Sequence, residues 1–190
     1  MKKSLGADTL AYPTPVWCVG SYDDAGKPNV MTIAWGGICC STPPCLTVSL
    51  RKATYTYGCI MARKAYTVSI PSARYVAEAD YFGLVSGHRA DKFQDTGLTP
   101  VRSELVDAPY VGEFPLVIEC RVIHVHEIGK HTQFIGQIMD VKADEEVLGE
   151  AGHPLMDKVA PFVYGPGIRE YWGLGAMLAK SFQVGKSLKD

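Results

Sequence analysis

The stretch Gly26–Met61, GKPNVMTIAWGGICCSTPPCLTVSLRKATYTYGCIM, decides the fold. Its apolar residues form two runs, 30–33 and 46–50, and each run has the length and the branched side chains of a short β-strand. Gly36 and Gly37 lie between the runs, where small residues are typical of a bulge or of a close approach between backbones. The stretch therefore predicts two neighbouring strands joined by a turn.

Polar and basic residues follow the second predicted strand. Ser49, Arg51 and Lys52 lie at its end, and Thr54 and Thr56 suit the start of a helix. A helix N-terminus exposes free N–H groups and partial positive charge, so together with these side chains it favours a phosphate. These residues alone leave open the alternative of an ordinary capped helix with solvated basic side chains.

A large aromatic side chain lies close to this basic turn in the sequence. Trp35 offers a flat face to a flat ring, while Asn29 and Thr32 offer polar groups to a sugar-like chain or a ring edge. Together with the anion site, these residues describe a ligand that has a phosphate, a polyol and an aromatic heterocycle.

Four motifs follow one another along the chain: PNVMTIAW, SLRKATYT, SGHRADKFQDTGLT and GKHTQFIGQI. In this order they resemble the flavin reductase-like proteins with an FMN-binding split barrel, and within that family the flavoredoxins most. The resemblance covers roughly residues 10 to 175. It implies a mainly β fold with a few short helices, a split β-barrel of Greek-key type, and FMN as the cofactor.

The resemblance also implies which residues surround FMN. Ser86 and Lys92 of the third motif lie over the phosphate, His131 reaches the flavin site, and Tyr164 packs against the isoalloxazine ring. The residues alone leave open that His131 is a turn histidine in water. The predicted cofactor-binding residues are Asn29, Met31, Thr32, Ala34, Trp35, Ser49, Arg51, Lys52, Thr54, Thr56, Ser86, Lys92, His131 and Tyr164. No catalytic side chain is predicted, because hydride or electrons can reach a flavin without a side-chain base.

Length, composition and charge limit the classes of function. The chain has 190 residues, of which 47% are hydrophobic, so a single domain over residues 1–190 is expected. The formal net charge is −1 and the basic residues are scattered, which argues against nucleic acid or a membrane surface as partner. The sequence has no apolar run long enough for a signal peptide or a membrane span, so we expect a cytoplasmic protein.

Six cysteines lie mostly within apolar runs and lack the spacing of a metal site: Cys18, Cys39, Cys40, Cys45, Cys59 and Cys120. Reduced, buried thiols and no bound metal are therefore expected. Cys40 and Cys45 flank a Ser-Thr-Pro-Pro turn, and this arrangement leaves open pairing or redox chemistry between them.

The rest of the chain predicts further strands and one longer helix. Strands are expected over residues 16–22 and 66–70, and an amphipathic helix over 72–85. Residues 99–115 contain three prolines and predict an irregular segment with room for one short strand. A long alternating run over residues 116–141, with a Gly-Lys turn in its middle, predicts a β-hairpin.

The leading functional hypothesis is an electron-transfer oxidoreductase of the flavoredoxin type with tightly held FMN, supplied with electrons by a redox partner protein or by NAD(P)H. The first alternative is an NAD(P)H-dependent flavin reductase that passes reduced flavin to a partner oxygenase. The second alternative is a non-catalytic barrel that acts only as an interaction module. The resemblance further implies a homodimer with the flavin at the subunit groove.

Overall fold

The structure is a computed structural model that describes residues 1–188. Strands dominate the described residues, which confirms the prediction of a mainly β fold. The strands are β1 (Thr14–Pro15), β2 (Trp17–Tyr22), β3 (Pro28–Ile33), β4 (Gly36–Ser41), β5 (Pro44–Arg51), β6 (Ala65–Ile70), β7 (Pro100–Arg102), β8 (Pro109–Val111), β9 (Leu116–Ile128), β10 (His131–Ala143), β11 (Phe162–Gly165) and β12 (Glu170–Gly173).

Short helices connect these strands, as the sequence predicts. The α-helices are α1 (Tyr55–Arg63), α2 (Val76–Leu84), α3 (Lys92–Thr96) and α4 (Met156–Val159), and 3-10 turns cover Ala73–Tyr75, Glu145–Val147 and Val184–Leu188. None of the helices within residues 1–188 combines the length and the apolar content needed to cross a bilayer.

One antiparallel sheet of seven strands forms the centre of the molecule, in the order β3-β2-β6-β9-β10-β5-β4. A three-stranded sheet has the order β1-β11-β12, and β7 pairs with β8. The predicted β9–β10 hairpin is present. Since β6 lies between β2 and β9, the sheet combines strands that are far apart in the sequence.

Apolar side chains pack on both faces of β2. Val19 belongs to one buried cluster with Tyr66 and Phe134, whereas the preceding Cys18 belongs to a second cluster with Phe82. Successive residues of a strand point to opposite faces, so β2 separates the two clusters. Both faces of this strand are therefore core.

The region around the two glycines differs in detail from the prediction. The chain breaks after β3 and starts a separate strand, β4, at Gly36. A Cβ at Gly36 would lie 2.7 Å from the Trp17 ring, so the close approach at this glycine is to a side chain and not to another backbone, and Gly37 has open space around it. The expected bulge lies later, at Cys39, where the register between β4 and β5 shifts.

Two other predictions need correction. The helix expected over residues 72–85 divides into the 3-10 turn Ala73–Tyr75 and α2. The segment 99–115, expected to be irregular with room for one short strand, contains two, β7 and β8. The cysteines are also less uniformly buried than expected: Cys39 and Cys40 are exposed, because β4 is an edge strand of the central sheet.

Candidate functional site

A cleft of about 330 Å³ opens where β3 and β5 end and where α1 and β10 begin. Three separate parts of the sequence line it. Its lining residues are Met31, Thr32, Ile33, Ala34, Trp35, Ser49, Leu50, Arg51, Thr54 and His131. Eight of these ten residues belong to the set predicted from the sequence. We call this space the main cleft.

Backbone pairing fixes the positions of the side chains at the rim of the main cleft. The Ser49 amide donates a hydrogen bond of 2.9 Å to the Trp35 carbonyl, so the segment after β3 is tied to β5. Arg51 lies directly opposite His131 in the pairing of β5 with β10, and directly paired residues place their side chains on the same face. A guanidinium and an imidazole thus share this end of the sheet.

The N-terminus of α1 completes the polar side of the main cleft. Thr54 is the N-cap residue, but its hydroxyl donates 2.8 Å back to the Arg51 carbonyl and does not cap the helix. No acidic side chain lies in the first turn. Because the first N–H groups of a helix need acceptors, this end of α1 favours a negatively charged group.

Asn29 and Thr56 are buried beside the main cleft and do not line it. The Asn29 amide nitrogen donates 2.8 Å to the Thr56 hydroxyl, which joins β3 to the first turn of α1. Gly87 packs against this pair, since a Cβ there would lie 2.4 Å from the Asn29 Oδ1 and 2.4 Å from the Tyr55 ring. Ser86 is half-buried, and its hydroxyl accepts 3.3 Å from the His88 amide.

Lys92 is directed into the interior and does not line the main cleft, so its contact with a phosphate stays a prediction. Lys92 is 5% exposed, and its Nζ donates 2.8 Å to the carbonyls of Val30 and Phe82. Val30 lies in β3, an edge strand, and Phe82 lies in the last turn of α2, so both carbonyls need a donor. Burial lowers the pKa of Lys92 to about 8.

Lys52 lies in a neighbouring cleft of about 460 Å³ that shares Thr54 with the main cleft. Its Nζ forms an ion pair of 2.8 Å with Glu127, and the hydrogen bond to that carboxylate raises the pKa of Lys52. The Tyr55 hydroxyl, in the same cleft, donates 2.7 Å to Asp23, which lowers the pKa of that carboxyl. The structure therefore turns Lys52 away from Arg51.

Tyr164 lines a third cleft, of about 320 Å³, and not the main cleft. The two clefts share Thr32, Ile33 and Ala34, and Tyr164 packs against Tyr171 with ring centroids 5.6 Å apart. Tyr164 therefore lies near the segment that precedes Trp35, but the two aromatic rings line different clefts.

Sequence reasoning missed three residues that shape the site. Ile33 and Leu50 line the main cleft as its apolar wall, and Gly87 gives the room that the Asn29 amide needs. The Ser-Gly pair at residues 86–87 was a usable signal for Gly87, because a glycine after a helix often marks a close approach. The apolar lining residues carry no signal that separates them from core residues.

Comparison with known proteins agrees with this architecture. The family described as Flavin reductase like domain matches residues 9–167. Flavoredoxin of Desulfovibrio vulgaris (Miyazaki F) is 59% identical, with a TM-score of 0.93 over 97% of this chain and 100% of that chain. Flavoredoxin from Methanosarcina acetivorans is 31% identical, with a TM-score of 0.93 over 99% of each chain.

Two further comparisons extend these results. A split-barrel protein of Shewanella frigidimarina is 20% identical with a TM-score of 0.82, and this likeness confirms the predicted split β-barrel. An uncharacterized protein of Archaeoglobus fulgidus is 33% identical over 115 residues, which are 60% of this chain and 65% of that relative. The matched residues include the β3–α1 stretch and β10 that build the main cleft. The chain belongs to the flavin reductase-like family.

Proposed function

We propose that this chain is an FMN-binding flavoprotein of the flavoredoxin type, which transfers electrons between a donor and an acceptor. The observation that carries the proposal is the convergence of eight predicted residues on the main cleft. The two flavoredoxins at 59% and 31% identity, each matched over nearly its whole chain, support the same function.

The residues of the main cleft fit the chemical parts of FMN. Arg51, the Ser49 hydroxyl and the free N–H groups at the start of α1, which Thr54 precedes, suit a phosphate dianion. Trp35 offers an aromatic face to a flat ring. The cleft volume of about 330 Å³ lies at the lower end of the range of small-molecule sites, which suits a ligand that is partly open to solvent.

Each group of residues has one task in this proposal. Bound flavin supplies the electron-accepting ring system. Arg51 and Ser49 hold the phosphate, Trp35 excludes water from part of the ring, and the backbone of residues 31–35 faces the ring edge. His131 lies opposite Arg51 and supplies a hydrogen-bonding group at the same end of the cleft. Asn29 and Thr56 hold β3 and α1 in register from the interior.

A titration followed by absorbance tests the proposal. Purified protein should be yellow, with flavin bands near about 375 and 450 nm. Under anaerobic conditions, a reduced ferredoxin-type protein should bleach these bands stoichiometrically, while NADH and NADPH should act slowly or not at all. Colourless protein that ignores added FMN would contradict the proposal and favour the interaction module.

The second candidate is an NAD(P)H-dependent flavin reductase. The description of the matched family favours it, and so does the open rim of the main cleft, where a nicotinamide ring has access to a bound flavin. This candidate predicts steady oxidation of NADH or NADPH in the presence of excess FMN. Under the same conditions, the electron carrier should show at most a single turnover.

We also propose that two copies of this chain form a homodimer. We propose the cytoplasm as the location of the protein. Support for the homodimer comes from large apolar side chains that the isolated chain leaves in water, among them Ile168 at 55% exposed and Trp172 at 57% exposed. Light scattering of FMN-loaded protein should give about twice the 20.7 kDa of one chain. A mass of one chain at micromolar concentration would contradict the dimer and leave the cofactor proposal standing.

A further inference from the structure

Three thiols lie together at the end of the central sheet that is remote from the main cleft. Cys39 and Cys40 are exposed on β4, and Cys45 is buried on β5. Cys45 is four residues before Ser49 on the same strand, so roughly 13 Å of strand separate it from the main cleft. The proposed electron carrier makes no use of these groups.

Cys40 and Cys45 are direct partners in the antiparallel pairing of β4 with β5. Directly opposed residues of such a pair have Cα atoms roughly 4.5 or 5.5 Å apart, and their side chains share one face. Both separations fall within the range of roughly 4.4 to 6.8 Å that a disulfide bridges. The turn between them, Ser41–Pro44, also holds the two strands together.

The alternative pairings fit less well. Cys120 lies on β9, and β10 runs between β9 and β5, so Cys45 and Cys120 are two strand spacings apart, roughly 9.5 Å, which is too far for a disulfide. Cys39 is the residue that the bulge leaves without a partner on β5, and it neighbours Cys40 within one extended strand. The pairing therefore selects Cys40 as the partner of Cys45.

We propose that Cys40 and Cys45 form a reversible dithiol–disulfide couple, a second two-electron redox site that is oxidised by small disulfides. The exposed Cys40 thiolate attacks one sulfur of the small disulfide, forms a mixed disulfide and releases one thiol. The Cys45 thiolate then attacks the Cys40 sulfur and releases the second thiol. In total, the protein dithiol gives up two protons and two electrons, and one small disulfide becomes two thiols.

Exposure and electrostatics agree with this order of events. The Cys40 Sγ lies at the surface, where its contact is the Thr42 carbonyl at 3.3 Å. Burial raises the pKa of the Cys45 thiol, and the neighbouring Cys39 and Cys40 raise it further. A buried thiol with a raised pKa is a poor first nucleophile but is well placed to resolve a mixed disulfide that forms beside it.

Thiol counting on FMN-loaded protein in glutathione buffers tests the proposal. In oxidised glutathione the wild type should lose two of its six thiols, its mass should fall by about 2 Da, and dithiothreitol should restore both. Cys39→Ser is the matched control, because it alters the same exposed strand without removing either partner. This variant should also lose two thiols.

Removal of either partner should abolish the internal disulfide. Cys40→Ser lies at the surface, and Cys45→Ala removes the buried partner, so the two variants test the pair from both sides. Neither Cys40→Ser nor Cys45→Ala should show the mass loss of an internal disulfide, and any thiol that either variant loses should carry a glutathione adduct at an exposed position, Cys39 or Cys40. The proposal is overturned if the wild type keeps six thiols, if it carries only glutathione adducts, or if Cys39→Ser prevents the internal disulfide.

Discussion

Arg51 and Lys92 were both predicted to hold the same phosphate, yet they belong to two different regions of the molecule. The cleft rim, which consists of Trp35, Ser49, Arg51, Thr54 and His131, presents the side chains of Arg51 and His131 to a ligand. The buried layer, which consists of Asn29, Thr56, Gly87 and Lys92, satisfies its polar groups within the protein or fills tight space. The difference shows that a basic side chain within a sequence motif can either bind a ligand or stabilise the fold by pairing with buried carbonyls.

This comparison predicts that substitutions in the buried layer change stability, whereas substitutions at the cleft rim change retention of FMN. The largest effect is expected for Lys92→Met, which keeps the length of the side chain but removes its ammonium. The carbonyls of Val30 and Phe82 would lose their donor, at a cost of roughly 1 to 3 kcal/mol for each unpaired group. Urea denaturation of the FMN-free protein should show a loss of about 2 to 6 kcal/mol in the free energy of unfolding. Unchanged stability together with weakened FMN retention would place Lys92 with the cleft rim after all.

The pH dependence of stability should sharpen the same contrast. The pKa of Lys92 is about 8 in the folded protein, against about 10.4 for an unperturbed lysine. Between these values the unfolded chain binds more protons at this side chain than the folded protein does, so the free energy of unfolding rises with pH. Across this pH interval, the deprotonation of Lys92 should raise the free energy of unfolding by about 3 kcal/mol in total. The stability difference between wild type and Lys92→Met should therefore widen from pH 7 to pH 10, and a constant difference would contradict the buried ammonium.

At the cleft rim, Arg51→Ala should weaken FMN binding by about 1.5 to 3 kcal/mol, the scale of a hydrogen bond to a charged group. The free energy of unfolding without FMN should stay within about 0.5 kcal/mol of the wild type, because Arg51 is exposed. Fluorescence titration of FMN-free protein measures the affinity. Lys52→Ala is the matched control, since Lys52 is paired with Glu127 and lies outside the main cleft. Equal losses in both variants would mean that the effect is general surface charge.

The smallest effect is expected for Thr56→Val, which keeps the shape of the side chain but removes the hydroxyl that accepts from Asn29. The buried Asn29 amide would then lack this acceptor, so the free energy of unfolding should fall by about 1 kcal/mol. FMN affinity should change less than in Arg51→Ala. If the affinity falls more than the stability, Thr56 contacts the cofactor and belongs to the cleft rim.

Much of the main cleft could be predicted because its residues are close in sequence. Four of its lining residues lie within twenty residues of one another: Trp35, Ser49, Arg51 and Thr54. Local signals, such as glycines and threonines, also predict the break after β3 and the start of α1. The role of His131 was implied by the resemblance to the family, whereas the β9–β10 hairpin that carries it was predicted from alternation and a central turn, which are local signals.

The remaining predictions failed or went untested where a side chain's environment depends on distant partners. The Lys92 ammonium donates a hydrogen bond to the carbonyl of Val30, which is 62 residues away in the sequence. The residues that neighbour Lys92 in the third motif give no sign that this carbonyl lies on an edge strand of the sheet. Tyr164 lies in a separate cleft because β11 pairs with β1 at the other end of the chain. The burial of Asn29 likewise depends on where Gly87 packs.

The sequence by itself determined the strand-rich fold, the family, and the basic turn between β5 and α1, because alternation, turn residues and helix starts act over a few neighbouring residues. Only the tertiary structure decided which cations face the main cleft and which lie inside, and it alone placed Cys40 opposite Cys45. The physical reason is that solvation and pairing of a side chain depend on all groups around it in space, and the chain brings most of those groups from far away in sequence.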